Sequence, residues 1–80
     1  MKVKWEQRLW YLRLTIAKED LQTEVLQRFG VMLSDPETLV GLLADELIPW
    51  GDAEVEVEVY EEPSDSEDDL VVVVELYRTG

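Results

Sequence analysis

Apolar and polar positions alternate along three stretches of the chain and recur at helical spacing along two others. From Leu9 to Ile16 the residues LWYLRLTI place Trp10, Leu12, Leu14 and Ile16 on one side of an extended chain and Leu9, Tyr11, Arg13 and Thr15 on the other. Trp5, Leu9, Leu12 and Ile16 also approach a helical repeat, but the aromatic and β-branched content favours a first strand. Lys18, Glu19 and Asp20 then open a helix in which Leu21, Val25, Leu26 and Phe29 share a face. Its acids stand in the first turn and Arg28 in the last, as the helix dipole favours, and Gly30 is the expected stop. A second helix starts at Ser34-Asp35-Pro36-Glu37, read as an N-cap serine with Glu37 as its capping-box partner and a proline in the first turn. Leu39, Leu42, Leu43 and Leu47 form its apolar stripe, Gly41 is a point of close helix approach, and Pro49 and Gly51 end it.

The last third of the chain changes period. DAEVEVEVY, residues 52 to 60, alternates strictly, with Ala53, Val55, Val57 and Val59 on one face and Glu54, Glu56, Glu58 and Tyr60 on the other. EEPSDSEDD reads as a polar connection, and LVVVVELY returns as a strand with Leu70, Val72, Val74 and Leu76 on one side. The resulting order predicts a single α+β domain over residues 1–80: β-α-α-β-β, a three-stranded sheet with two antiparallel helices packed on one face. The unbroken valine run suits a strand covered on both sides, which predicts spatial order 1-3-2 and leaves the glutamate strand at an edge.

Charge alters the picture more than composition does. Of nineteen acids and seven bases, residues 1 to 51 hold eight and six, a net of −2, whereas residues 52 to 80 hold eleven acids and Arg78, a net of −10. A total of −12 repels DNA, RNA and anionic lipid at long range, so the expected partners are basic proteins, with neither nucleic acid nor membrane bound directly. The absence of cysteine in so small a domain points to a reducing cytoplasm, and MKVKWEQRLWYLRL offers no apolar run of the kind a signal peptide or membrane span needs.

The residue types also argue against catalysis. There is no histidine or cysteine to pair with a serine nucleophile or to hold zinc or haem, and the four glycines are too scattered for a phosphate loop. Paired carboxylates act as acid and base when one is desolvated, whereas these lie on an exposed strand face and a loop. Asp65, Ser66, Glu67, Asp68 and Asp69 crowd oxygen ligands together without the register of a calcium-binding loop. The expectation is a protein that is not an enzyme and carries no cofactor or metal.

What remains is the acidic hairpin. Alternate strand residues stand about 6.7 Å apart on one face, close to two phosphate steps of about 3.4 Å along a DNA strand. Glu54, Glu56 and Glu58 therefore form a row whose period is commensurate with a phosphate backbone. Glu61, Glu62, Asp65, Glu67, Asp68 and Asp69 extend it to nine acids within sixteen residues, with Tyr60 and Tyr77 as candidate anchors. In composition and size the chain resembles the class of small acidic DNA-mimic inhibitors, many of them phage proteins directed against restriction, CRISPR or repair nucleases. The resemblance implies an inhibitor that occupies the basic groove of a nucleic-acid-binding protein. Three simpler readings stand beside it. Charges along an edge strand prevent two copies from pairing, high-salt adaptation raises acids over lysines, and cross-strand bases offset part of the charge. A function of another class is an assembly or dimerisation module using an apolar strip of Leu9, Tyr11, Val71, Val73 and Tyr77 on the open sheet face.

Overall fold

The computed structural model describes residues 2–48, 54–64 and 69–79. Its elements are β1 (Val3–Arg8), β2 (Tyr11–Ala17), α1 (Lys18–Phe29), α2 (Pro36–Leu42), α3 (Ala44–Leu47), β3 (Val55–Pro63) and β4 (Leu70–Arg78). The strands form one antiparallel sheet in the order β1-β2-β4-β3. The α+β class and the central position of the valine strand follow the sequence, as does the edge position of the glutamate strand.

The strand count does not: there are four among the described residues, because the expected strand from Leu9 to Ile16 is the second arm of a hairpin. Arg8 pairs with Tyr11, so Leu9 and Trp10 alone make the turn, and neither has positive φ. Two-residue hairpin turns usually use Gly, Asn or Asp at positive φ, and Leu-Trp carries none of that signal. Leu9 and Trp10 consequently leave the faces assigned to them and project into solvent.

One hydrophobic core lies between the sheet and the helices. Leu12, Leu14 and Ile16 of β2 and Val72, Val74 and Leu76 of β4 face Leu21 and Val25 of α1, Leu39 and Val40 of α2, and Leu43 and Leu47 beyond. α1 packs over β2 and β4, while α2 packs over β3 and against α1. Among the described residues no comparable helix contact covers β1, whose residues are exposed except for Val3, half-buried against the core.

Several local expectations need correction. The second helix is divided at Leu43 into α2 and α3, and Val40 is buried in place of Leu42, which is 39% exposed. A Cβ built on Gly41 meets nothing within 4 Å, so this glycine serves no close approach. Leu26 and Phe29 are largely exposed, leaving Leu21 and Val25 as the buried face of α1. Gly30 does end α1, at φ 70, with its N–H donating to the Leu26 carbonyl at 2.9 Å. Pro49, Gly51, Asp52, Ala53, Asp65, Ser66, Glu67 and Asp68, which the sequence reading assigned to a helix end, a strand start and the acidic connection, lie outside the described residues.

The N-cap of α2 is Asp35 and not Ser34. The Asp35 carboxylate accepts from the Thr38 N–H at 3.2 Å and the Thr38 hydroxyl at 2.6 Å, so Thr38 takes the place expected for Glu37. Both residues are good caps, but only Asp35 immediately precedes Pro36 at the first helical position. Asp35→Ala is expected to cost about 1 kcal/mol, lowering the melting temperature by about 4–8 °C, while Ser34→Ala leaves it within about 2 °C in thermal denaturation.

Candidate acidic edge and open sheet face

Strand alternation and register determine which side chains meet on the face away from the helices. Lys4, Thr15, Val73 and Tyr60 form one row across the sheet, and Glu6, Arg13, Glu75 and Glu58 the next. Arg8, Tyr11, Tyr77 and Glu56 form the third. The open face is therefore basic towards β1 and acidic towards β3.

The expected site residues do not form one continuous surface. Glu56 and Glu58 lie exposed on β3, and Glu54 precedes the strand, its carbonyl accepting from the Thr79 N–H at 3.0 Å. No ion pair joins any of these three to a base among the described residues. Glu61 and Glu62 belong to β3 instead of the connection, and both are paired. Lys18 Nζ reaches Glu61 at 2.6 Å on the helix side, and an Arg13 amino group reaches Glu62 at 3.5 Å on the open face. Asp69 is exposed just ahead of β4, its carbonyl accepting from the Ser64 N–H at 3.0 Å. Asp65, Glu67 and Asp68 are outside the described residues.

Tyr60 and Tyr77 converge on a residue that the sequence reading did not single out. Both phenols donate to Glu75, Tyr77 at 2.7 Å and Tyr60 through the other carboxylate oxygen. Tyr11 stacks at a tilt on Tyr77, with ring centroids 5.2 Å apart. Tyr60 is half-buried by this arrangement, and Tyr77 keeps 37% of its surface exposed. The expected apolar strip is interrupted accordingly. Val73 is buried, Val71 and Tyr11 are half-buried, and Arg13 and Glu75 place charge in the centre of the face. Glu75 was legible in principle as the only polar residue in LVVVVELY, two positions from Tyr77 on the same side.

These bonds change how the groups titrate. Tyr60 and Tyr77 are each raised from the usual 10.0 to about 12, mainly because the neutral phenol donates to the Glu75 carboxylate, with desolvation second. Glu75 is lowered from its usual 4.5, first by the Tyr60 bond and then by the Tyr77 bond. A folded-state value above the unfolded one means that the tyrosine contribution is complete below pH 10.0 and is lost as pH rises through about 12. The depressed Glu75 works in the opposite sense: its contribution is present above 4.5 and is lost as pH falls through its lower folded value. An ultraviolet titration is expected to place tyrosinate formation at Tyr60 and Tyr77 near pH 12, and Glu75→Gln to move both back towards 10.0. Unshifted tyrosines in the parent protein would show that the cluster does not persist in solution.

No family model matches the chain, and comparison with curated proteins and with solved structures found no match.

Proposed function

We propose that the protein is a non-enzymatic inhibitor that lays its acidic β3 edge into the Lys/Arg-lined groove of a nucleic-acid-binding partner, such as a nuclease, a CRISPR effector or a repair enzyme. The observation that carries the reading is the row Glu54, Glu56 and Glu58: exposed, on or beside an outer strand, and unpaired with any described base. Basic side chains exist in the fold, but Arg13 and Lys18 are committed to Glu62 and Glu61. Lys2, Lys4 and Arg8 belong to the opposite side of the sheet. The contact surface is accordingly narrower than the full acidic hairpin, centred on the three glutamates with Tyr77 beside Glu56.

The sign of the charge supports recognition over simple edge protection. Glu58 stands directly across from Glu75, and like charges in opposed positions destabilise a sheet. A lysine at position 58 would guard the edge equally well and attract Glu75, so edge protection alone gives no reason for glutamate there. High-salt adaptation fares no better, since it does not account for the near-balanced first 51 residues. The alternative assembly module draws support from exposed Leu9 and Trp10 at the β1–β2 turn, but the strip it was to use is broken by Arg13 and Glu75.

The site would act in the cytoplasm of the cell that holds the partner. Binding that exchanges carboxylates for counterions weakens steeply with salt. Immobilised protein is expected to capture the partner from lysate at low ionic strength and release it on a salt step that leaves apolar complexes intact. Retention unchanged across that step would remove the electrostatic basis of the proposal.

A further inference from the structure

The sheet has two unfinished edges, and they are unlike. Among the described residues β1 has only β2 as a neighbour and β3 only β4, so each offers a row of backbone groups to another strand. On the open face the β1 side carries Lys4 and Arg8, with Lys2 just ahead of them and one acid, Glu6, paired with Arg8 at 3.6 Å, and the β3 side carries Glu56 and Glu58 with Glu54 just ahead of them. The helix side is complementary in a second way. There β1 presents Trp5, 49% exposed and with no helix packed over it among the described residues, while Val3 is half-buried against the edge of the core. β3 has the reverse arrangement, because α2 and α3 flank it with an open, mostly apolar groove of about 360 Å³ lined by Val40, Gly41, Ala44, Ile48, Val57 and Val59, with Glu37 as its one charged residue.

We propose that β1 of one copy pairs with β3 of another, continuing the antiparallel sheet head to tail. Strand direction permits this: directions alternate across β1-β2-β4-β3, so a second copy placed in the same orientation brings its β1 antiparallel to β3. The faces stay in phase. Lys4 of the incoming strand, with Lys2 just ahead of it, meets the glutamate row on the open face, while Trp5 enters the groove beneath α2 and α3, gaining the cover that it lacks. Pairing of like edges is disfavoured, since β3 on β3 sets glutamates against glutamates and β1 on β1 sets bases against bases. Because the contact joins two different surfaces, it does not close on itself and yields rings or chains of copies. The net charge of −12 opposes approach, but at about 0.15 M salt distant charges are screened beyond about 8 Å and contact pairs much less so. The inference uses the same glutamates as the inhibitor reading without resting on it, and assembly would hide the row until a basic partner displaced the neighbouring β1.

Sedimentation of the purified chain in about 0.15 M salt tests this without any partner. The mass average is expected to climb with concentration past the dimer. Lys2→Glu with Lys4→Glu, or Glu56→Lys with Glu58→Lys, is expected to weaken association by about tenfold or more, and an equimolar mixture of the two variants to restore it, because their edges are again opposite. Gly41→Leu fills the groove from a position where a Cβ meets nothing and favours the helix, so it is expected to weaken assembly by a similar factor while the fold remains. A monomer mass throughout the series, a plateau at the dimer, or variants that assemble like the parent would each overturn the proposal. Circular dichroism of every variant separates loss of contact from loss of fold.

Discussion

Replacing Glu54, Glu56 and Glu58 together by lysine is expected to abolish partner binding and leave the fold intact or slightly more stable. The formal net charge moves from −12 to −6, but the larger change is local, since all three side chains are exposed and none is engaged by a described base. Set against a basic groove, each reversal turns attraction into like-charge repulsion. A combined penalty of several kcal/mol corresponds to a loss of about a thousandfold in affinity, at about 1.4 kcal/mol per decade. The fold has no comparable stake in the row. Lysine at position 58 exchanges a glutamate pair across from Glu75 for an attractive one, a gain of about 0.2–1 kcal/mol by the usual size of cross-strand pairs. Binding assays and chemical denaturation on the same variant separate the two outcomes. An unfolded triple variant would mean that the glutamates hold the structure together, which the inhibitor reading excludes.

Leu14→Ala is expected to produce the largest loss of stability. Leu14 is fully buried in the middle of β2, with Trp5 as its partner on β1 and Val74 on β4. Removing a core leucine costs about 2–5 kcal/mol through lost transfer energy and the cavity left behind. A domain of this size holds about 4–12 kcal/mol in total, so the variant should melt about 10–40 °C lower or be partly unfolded at room temperature. The paired comparison lies on α2, where Val40→Ala is expected to cost more than Leu42→Ala, because Val40 is buried and Leu42 is not. The reverse order would mean that the helix is rotated relative to the packing described above.

The parts of the fold that could be read from the sequence are those in which one signal acts alone. Strict alternation in β3 and the continuous valines of β4 placed one strand at the edge and the other in the centre, and Gly30 marked its helix end by the conformation it adopts. The missed strand shows what happens when signals conflict. Lys2, Val3, Lys4, Trp5 and Glu6 alternate as β1 should, but the turn that follows is Leu-Trp, so β1 and β2 merged into one apolar stretch without punctuation. On α2 the buried set is Leu39, Val40, Leu43 and Leu47, one face of an unbroken helical repeat, so residue type assigns Leu42 to the core where the angular spacing favours Val40.

The candidate site was legible to a similar degree. That Glu54, Glu56 and Glu58 share a face is a property of any strand with that sequence, and the register places Glu56 and Glu58 on the open face. The neutralisation of Glu61 and Glu62 depends on Lys18 and Arg13, which are more than forty residues distant in sequence and arrive through tertiary packing. Glu75 drew no notice for the same reason, since its significance comes from two phenols, one on the neighbouring strand. Local pattern fixes the facing of a side chain, whereas its partners depend on which strands become neighbours.

Competition with duplex DNA tests the inhibitor reading most directly. The captured partner is saturated with DNA at its nucleic-acid site and then offered the parent protein. The proposal predicts mutual exclusion, with the DNA concentration for half displacement rising in proportion to the amount of acidic protein present. A ternary complex, in which the partner holds DNA and this protein at once with unchanged affinities, would contradict it.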